Sequence, residues 1–577
     1  MVHRTIRRCA ILSGLLLAFP LEPLGGERGA GSQEPADCVG NPEEHRRVDL
    51  LHVQSGQLRR GEAVCFGLRA DGGELIRLSV ASAGPIRARI FEPGRSAPVV
   101  VRWGTRPFAF EAPAAGLYVL ELSVPALPQV PLEANPSFRV QVHEWASAGM
   151  QAARREDLRR DPRTAWLRAH AASIRSVEPE DDDFSDLEFL RRDLRGVRVV
   201  LLGEENHGAG STFKAKTRLI KFLHQEMGFN VLAFESGIFS MREAWRALQS
   251  ATELREAFAN GAFSVWARSA QLQPLIDYLA QQARTDRPLE LVGVDHQFSG
   301  TAAPSFPQAV RALLREYAIE SPLAQEASVP SQVLTGILDG RFARDRDHLP
   351  SESEQEATMQ SLRAAAAQVE RRVPGPDGAL WGQILRSAAA TVRLYLGGLL
   401  SEGGSFEGRD RQMAENLIWL ANEHYRGEKL IVWAANVHVM RNPGVVSPDL
   451  MRGLSGNVEC CDFTMGHGIS EVLEREAFAV GFTSYRGRTH MANLPDEIEQ
   501  EIVSDQRSAF EFEELMDAAG HELAFVNLRD LPERDTWLSG EFWARPLDLR
   551  MSDSAPWSQV FDALFFIRAQ EPSRRAR

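Results

Sequence analysis

Hydrophobic and polar residues alternate in short runs between residues 46 and 146. The period of two, which places every second residue on one face of a strand, is clearest in GELIRLSVAS, LYVLELSV and SFRVQVHEW. Turn sequences such as ADGG, EPGRS and APAAG separate these runs. Short alternating strands joined by turns are typical of an antiparallel β-sandwich, so residues 46–146 are predicted to form a small β-sandwich module.

The pattern changes at residue 184, where apolar runs begin to alternate with helical periodicity. VRVVLLGE at 197–204 is nearly continuous, as expected of a strand buried on both faces. Apolar positions at helical spacing follow it as far as Gly228, and NVLAFES at 230–236 is the next apolar run. This order predicts a βαβ unit, whose parallel strands end at the same edge of a sheet. Further strands are predicted at 289–297, 429–438, 478–485 and 523–528.

The fold class predicted is therefore multidomain, which suits a chain of 577 residues. An N-terminal antiparallel β-sandwich, jelly-roll-like in layout, precedes an α/β domain with a mainly parallel sheet at 184–570. A helical connector at 147–183 joins them, and a large helical insertion at about 300–425 interrupts the second domain.

The N-terminus has the features of a targeting segment. Basic residues precede the apolar run CAILSGLLLAF at 9–19, which is too short to span a bilayer as a permanent helix. Residues 1–26 are therefore predicted to be a signal peptide and residues 27–45, rich in Gly, Ser, Pro and Glu, a linker. The mature chain is expected to be exported, periplasmic or extracellular, and without stable membrane insertion.

Charge and cysteine content narrow the class of protein further. The net charge of −13 and the absence of a basic stripe argue against nucleic-acid binding. Of five cysteines, Cys9 belongs to the signal peptide, and Cys38 and Cys65 can pair in an exported protein. The alternative for that pair is two buried thiols. Cys460 and Cys461 are adjacent, a spacing that rarely forms a bridge.

Acidic and imidazole side chains follow four of the predicted strands, at the point where each strand ends. Open α/β sheets bind ligands beyond the carboxyl ends of their strands, and each charged group there must be solvated, paired or used. A shared catalytic cleft is predicted from these residues: Glu204, His207, Glu235, Asp295, His296, Asn436 and His438. Structural alternatives also exist: a helix cap for Glu204 and His207, an ion pair with Arg242 for Glu235, core packing for His438, hydrogen bonding in the wall for Asp295 and His296.

Several of these segments resemble the erythromycin esterase family. They are GEENHG, KAKTRLIKFLHQEMGFNVLAFESG, GVDHQ, RDRQMAENLIWL and KLIVWAANVHVMRN, and the resemblance runs from residue 184 to near the C-terminus. It implies hydrolysis of an ester, a macrolactone in the best-known members, by attack of water without metal or other cofactor. It also implies that His207 is the general base, that Glu204 and Glu235 are active-site glutamates, and that His438 is the second histidine of a strand-end pair.

Two positions depart from the family pattern. The first histidine of the strand-end pair is Ala435 here, and the arginine of the resistance esterases is Lys216. Lysine keeps the charge but loses the fork that binds a planar group with two hydrogen bonds. Both changes bear on macrolide specificity more than on hydrolysis. A second, looser resemblance is that of the β-module to pre-peptidase C-terminal modules of secreted hydrolases, in strand order and Gly-Tyr placement.

The residue chemistry agrees with water-mediated ester hydrolysis. Histidine supplies a base near neutral pH, and a carboxylate, either Glu235 or Glu204, can fix its tautomer. Lys216 or His438 can meet the developing oxyanion, although Lys216 has a solvated helix position as its alternative. No GxSxG nucleophile elbow is present, which favours direct attack by water. The residues expected on the substrate side are Asp295, His296 and Asn436.

Two other classes of function remain open. The Glu/His cluster has the N/O chemistry of a divalent-metal site, which would make the chain a metallohydrolase or peptidase. The β-module is compatible with carbohydrate or cell-wall contact, which would suit a non-catalytic envelope binding protein. The ester-hydrolase interpretation, with a small-molecule ester as substrate and no metal or cofactor, accounts for the charged residues at the strand ends. A non-catalytic binding protein leaves those charges unexplained.

Overall fold

A computed structural model of the chain describes most of the sequence from residue 46 onward. The described residues are 46–47, 53–59, 62–82, 86–95, 98–103, 108–124, 136–400, 406–448, 450–451, 462–494, 500–502, 509–531, 536–547, 549 and 552–576. The predicted signal peptide and linker, at 1–26 and 27–45, lie outside these residues.

The N-terminal module consists of two β-sheets packed face to face, which confirms the predicted β-sandwich. One sheet has the strand order β2-β9-β4-β7 and the other β1-β3-β8-β5-β6. Buried side chains from both sheets form one core, because every second residue of a strand such as LIRLSVAS points inward. All the pairings are antiparallel except that of β1 with β3. The strands are β1 Arg46–Arg47, β2 Val53–Gln57, β3 Ala63–Ala70, β4 Leu75–Ser82, β5 Arg87–Phe91, β6 Pro98–Trp103, β7 Phe108–Glu111, β8 Gly116–Ser123 and β9 Ser137–Ala146.

Cys65, in strand β3, is disulfide-bonded. Its bond shows that the alternative of two buried thiols is wrong for this residue. Cys38, Cys460 and Cys461 lie outside the described residues.

The second domain is built on a mixed, mainly parallel sheet, as predicted. Its strand order is β10-β17-β20-β15-β11-β14-β12-β13, with β16 paired to β15. Strands β13, β12, β14, β11, β15 and β20 are parallel, so their carboxyl ends share one edge. The strands of this sheet are β10 Ala172–Ser173, β11 Val199–Leu202, β12 Phe229–Gly237, β13 Glu290–Asp295, β14 Lys429–Trp433, β15 Ala477–Thr489, β16 Gln500–Ile502, β17 Leu523–Asn527 and β20 Ala563–Gln570. Strands β18 Phe542–Ala544 and β19 Asp553–Ala555 form a separate antiparallel pair.

Helices cover both faces of this sheet, and two separate apolar clusters form its cores. The helices are α1 Ala148–Arg160, α2 Pro162–His170, α3 Leu190–Asp193, α4 Gly210–Met227, α5 Ile238–Leu248, α6 Leu254–Ala259, α7 Ser264–Ala267, α8 Gln273–Gln282, α9 Phe306–Glu316, α10 Val329–Leu338, α11 Arg341–Arg344, α12 Glu352–Arg372, α13 Gly375–Leu400, α14 Phe406–Trp419, α15 Asn436–Val439, α16 Met465–Leu473, α17 Phe512–Ala519 and α18 Trp557–Val560. Among the described residues, no helix is long and apolar enough to cross a bilayer.

The connector and the insertion are both helical. In the connector, α1 contacts the second domain through an ion pair between Arg154 and Glu514 with a nitrogen–oxygen distance of 2.8 Å. Helices α9 to α14 fill the region predicted as an insertion. Helices α9 to α13 share a third apolar cluster with residues of α5, whereas α14 packs into the first cluster. The chain folds differently from the prediction at 429–438, where the strand ends at Trp433 and Asn436–Val439 is a helical turn.

Candidate active site

The segment GEENHG follows strand β11 and leads into helix α4. Its glycines stand where the backbone has close neighbours. A Cβ on Gly203 would lie 1.9 Å from Asn436 Oδ1, and a Cβ on Gly208 would lie 2.6 Å from the carbonyl carbon of His490. These approaches explain the glycines on either side of the acidic and imidazole residues.

Glu204 is the centre of one polar group at this edge of the sheet. It is fully buried, and its Oε1 lies 2.7 Å from His207 Nδ1 and accepts the Trp266 indole N–H at 3.0 Å. Its Oε2 accepts from Lys216 Nζ at 2.9 Å. Because the carboxylate accepts from Nδ1–H of His207, the other ring nitrogen, Nε2, is the acceptor. The His207 side chain is 32% exposed, so the basic nitrogen belongs to the accessible member of this group.

Lys216 is wholly buried, and its alternative as a solvated helix residue is wrong. Besides Glu204, its ammonium donates to the Ala434 carbonyl at 3.2 Å and lies 3.8 Å from the centre of the Trp433 ring. Burial lowers the pKa of Lys216 to about 8, against the opposing effect of Glu204. These contacts tie the Lys216 ammonium to Glu204 and to the residue that follows strand β14.

Arg409, at the start of α14, joins two of the strand-end carboxylates. Its guanidinium donates to Glu235 Oε1 at 2.9 Å and to Asp295 Oδ2 at 2.6 and 2.9 Å. The side chain of Arg409 is 19% exposed, whereas both carboxylates are buried. No role for Arg409 was predicted from the sequence.

His438 lies between two carboxylates. Its Nδ1 is 3.0 and 2.9 Å from the two oxygens of Asp410, and its Nε2 is 3.2 Å from Glu235 Oε1. Burial disfavours the charged ring, but Asp410 and Glu235 outweigh it and raise the pKa of His438 to about 10. His438 is therefore an imidazolium at neutral pH. The ring of Phe406 stacks on it, with centroids 5.1 Å apart.

Glu235 is ionised in this setting. Burial alone would raise the pKa of Glu235, but the charges of His438 and Arg409 hold it well below its usual range. The second oxygen of Glu235 accepts the Ala435 backbone N–H at 2.8 Å. The alternative in which Arg242 pairs with Glu235 is wrong, because Arg242 pairs with Glu243 and Asp377.

Backbone hydrogen bonds bring these two groups together. The Asn436 N–H donates to the Glu204 carbonyl at 2.8 Å, and Lys216 donates to the carbonyl of Ala434, the residue before Ala435. Glu204, His207, Lys216, Glu235 and His438 thus meet at one edge of the sheet.

The three residues expected to contact substrate have mainly internal partners. Asp295 binds Arg409 and accepts the Gln297 N–H at 3.0 Å. The Asn436 side chain donates to the carbonyls of Phe482 and Pro546 and accepts the Phe482 N–H at 3.1 Å, which uses its amide on the backbone.

His296 is buried and uncharged, because burial lowers the pKa of His296 to about 4. Thr391 donates its only hydroxyl proton to the His296 carbonyl at 2.6 Å, so at 3.3 Å it accepts from Nδ1–H. Nε2 of His296 is buried without a hydrogen-bond partner in the part of the chain that the structure describes.

Three of the residues that the metal-site hypothesis would use, Glu235, Asp295 and His438, contact the Arg409 guanidinium, whereas Glu204 and His207 pair with each other. Glu235 and Asp295 both accept from the guanidinium, and His438 Nε2 lies 3.1 Å from its Nη1. Because a guanidinium supplies the positive charge between these carboxylates, they are satisfied without a metal ion. Among the described residues, no group of three or more His, Cys, Asp or Glu side chains has an arrangement that could hold one.

The family model for erythromycin esterase matches residues 224–569 of the 577-residue chain. The chain belongs to the erythromycin esterase family. The matched residues include Glu235, Arg409 and His438 and begin after His207. Family membership confirms the resemblance to the erythromycin esterase family seen in segments such as GVDHQ and KLIVWAANVHVMRN.

This chain aligns with most of the length of two curated relatives. YbfO of Bacillus subtilis (strain 168) is 26% identical over 378 residues, 63% of this chain and 80% of that protein. Erythromycin esterase type II of Escherichia coli is 22% identical over 391 residues, 64% of this chain and 89% of that protein.

Solved structures share the fold of the second domain. A mutant of the erythromycin esterase EreC, in its open conformation, covers 69% of this chain and 98% of that chain at 18% identity, with a TM-score of 0.50. The N-terminal module is similar to the pre-peptidase C-terminal domain of a collagenase from Bacillus anthracis. The match covers 18% of this chain and 97% of the collagenase domain at 14% identity, with a TM-score of 0.14.

Proposed function

We propose that the protein is an exported ester hydrolase in which His207 activates a water molecule directly. The observation that carries this proposal is the Glu204–His207 pair, a buried carboxylate 2.7 Å from Nδ1 of a partly exposed ring. Glu204 fixes the tautomer, so that Nε2 of His207 is the base. The same carboxylate stabilises the imidazolium that forms when the base takes a proton.

Hydrolysis then proceeds in two steps, each with one proton transfer that involves His207. His207 Nε2 takes a proton from water as the water oxygen attacks the ester carbonyl carbon, and a tetrahedral oxyanion forms. Collapse of that intermediate breaks the bond to the alcohol oxygen, which receives the proton from His207. The products are a carboxylic acid and an alcohol, and the base is regenerated.

Arg409 and His438 are our candidates for stabilising the oxyanion. Both carry positive charge at neutral pH, and Arg409 keeps part of its side chain accessible. Fixed cations aimed at a developing negative charge are worth several kcal/mol of transition-state stabilisation in other enzymes, on the order of 3 kcal/mol for one donor. Lys216 acts indirectly in this scheme, by holding Glu204.

The remaining predicted contacts serve as wall and scaffold. Asn436 ties the strand ends together through backbone partners, and Asp295 holds Arg409 in place. His296, neutral and with Nε2 unpartnered among the described residues, is the member of this set that retains a free acceptor.

A macrolactone is one candidate substrate, since erythromycin esterase type II is a relative of this chain. Lys216 and Ala435 differ from the arginine and histidine of the resistance esterases, so simpler esters belong in the same assay. Turnover of macrolactones, simple esters and peptides should be measured with and without a chelator. Ester turnover that survives chelation supports the proposal, whereas peptide turnover lost on chelation would replace it with a metallopeptidase.

His207→Ala should abolish turnover of whichever ester the wild-type protein cleaves, a loss of about 100-fold or more. His348→Ala, at a histidine that is 76% exposed, is the matched control and should keep wild-type activity. Full activity in His207→Ala would refute the assignment of the base. Export is tested separately, by locating the chain with and without residues 1–26 in cell fractions.

A further inference from the structure

Helix α4 begins directly after the GEENHG loop, and its first turn is capped by residues from the C-terminal end of the domain. The Gly210 N–H donates to the Glu571 carbonyl at 2.8 Å. Gln570 Oε1 accepts the N–H groups of Ser211 and Thr212 at 2.7 and 3.3 Å. The first amides of a helix have no partner within the helix, and no local side chain caps this one. Residues about 360 positions away in sequence therefore supply the cap.

The amide nitrogen of Gln570 contacts the buried side chains next to the GEENHG loop. It donates to Glu205 Oε1 at 2.8 Å and lies within hydrogen-bonding distance of Thr212 Oγ1 at 2.9 Å and Ser484 Oγ at 3.0 Å. Glu205 is the neighbour of Glu204 and is buried, and burial raises its pKa. Gln570 thus binds the GEENHG loop through its amide nitrogen and the first turn of helix α4 through its amide oxygen.

The residues after Gln570 run between the loop and the segment that carries Trp266. The Ser573 N–H donates to the Gly208 carbonyl at 2.8 Å, and the Ser573 hydroxyl donates to Ser269 Oγ at 2.8 Å. The Ala270 N–H donates to the Arg574 carbonyl at 2.7 Å. A Cβ on Gly210 would lie 2.8 Å from the Pro572 carbonyl oxygen, which shows how closely the two backbones approach.

We propose that residues 570–576, which we call the strap, position the catalytic base by holding the His207 loop and the Trp266 segment at a fixed separation. This inference rests on the proposed function, because it assigns His207 as the base. The reason is geometric: Glu204 orients His207 from the loop, while Trp266 orients Glu204 from the other segment. Contacts that span both segments fix the relative positions of these three side chains, and the strap supplies backbone contacts to both segments. The segment around His490 adds a further hydrogen bond to the Gly208 carbonyl at 3.1 Å.

Ser573→Pro tests the proposal in the full-length chain, because proline removes the N–H that bonds Gly208 and the hydroxyl that bonds Ser269 together. Hydrogen exchange of the peptide over residues 203–212 needs no substrate, and it should become faster by about tenfold. The exchange of strand β17 should stay at the wild-type rate. Ile567→Val, a core change in the strand that leads into the strap, is the control and should leave both peptides unchanged.

Kinetics on the most rapidly cleaved ester of the panel provide the functional readout. Ser573→Pro should lower kcat by about tenfold and leave KM within about threefold, since the strap acts on the base and not on substrate binding. The acidic limb of the kcat/KM profile should move as well, which a general loss of folded protein would not produce.

Unchanged exchange at 203–212 together with unchanged kcat would overturn the proposal, as would faster exchange at 203–212 with kcat unchanged. If Ser573→Pro does not fold, deletion of residues 571–577 is the second variant; it keeps Gln570 and carries the same expectations and the same refuting results. A wild-type protein that cleaves no ester would refute the proposed function alone, because the exchange measurement still decides whether the strap holds the loop.

Discussion

Replacement of Asp410 by Asn tests the charge state of the buried His438. In the wild-type protein, both oxygens of Asp410 contact Nδ1 of the ring, and one also accepts the Met465 backbone N–H at 2.8 Å. Asparagine is nearly the same size and can keep one oxygen acceptor. The substitution therefore removes the negative charge with little change in packing.

The expected magnitude follows from the pKa of His438. A rise from 6.5 to about 10 corresponds to about 5 kcal/mol of preferential stabilisation of the imidazolium. Asp410 and Glu235 share this stabilisation, with Asp410 the larger contributor. Burial raises the pKa of Asp410 and offsets part of the gain, so Asp410→Asn should cost about 2–3 kcal/mol at pH 7. Breaking a buried ion pair typically has a cost of this size.

The pH dependence distinguishes this mechanism from a packing defect. Because the pKa of His438 is higher in the folded chain, its stabilisation is fully present below pH 6.5 and is lost as pH rises through about 10. The difference in unfolding free energy between wild type and Asp410→Asn should accordingly be largest near pH 6.5 and should shrink toward pH 10. Urea unfolding of the second domain, followed at several pH values from 6.5 to 10, measures it.

Asp462→Asn, a change of the same kind at an exposed position, is the matched control and should have no effect at any of these pH values. A destabilisation by Asp410→Asn that is equal at pH 6.5 and pH 10 would refute the charged state of His438.

Two further substitutions test the loop and its surroundings. Lys216→Arg should move the alkaline limb of the pH–rate profile from about 8 to above 10, because the buried ammonium loses its proton near 8 while a guanidinium keeps it. Lys214→Arg is the control and should leave the alkaline limb in place. An alkaline limb that stays near 8 in Lys216→Arg would contradict the role of the buried cation. Gly203→Ala should cost about 1–3 kcal/mol in thermal unfolding, since its Cβ would lie 1.9 Å from Asn436 Oδ1. Gly397→Ala, with no atom within 4 Å of its added Cβ, should be neutral or slightly stabilising, and equal losses in the two variants would contradict the clash.

The strand ends could be predicted from the sequence because they depend on local pattern and on one topological rule. Apolar runs locate β11, β12, β13 and β14, and parallel strands bring their carboxyl ends together, so Glu204, Glu235 and Asp295 had to meet. Strand β20 at 563–570 was not predicted, although ALFFIRAQ is an apolar run. Periodicity alone does not separate such a short run from a helix, and its place between β15 and β17 depends on contacts distant in sequence.

Arg409 and Asp410 illustrate what local pattern does not reveal. Both lie in a helix rich in charged residues, where such side chains are usually solvated. A signal was present: Asp410, Met413 and Leu417 share one face of α14 at helical spacing, and all three are buried. An acidic residue on an apolar face must find a cation or a donor. Its partner, His438, lies 28 positions further along the chain and could not be named from the helix alone.

Strand β20 lies inside the sheet, between β15 and β17, and follows both of them in the chain. Until it inserts, β15 and β17 have no common neighbour, and the amides at the start of α4 have no acceptor. A chain in which β20 has not yet formed therefore cannot cap helix α4 or hold the GEENHG loop in place. Under the proposed function, the loop that carries His207 would reach its active geometry only after β20 has joined the sheet, so the onset of activity during refolding would report completion of the whole domain.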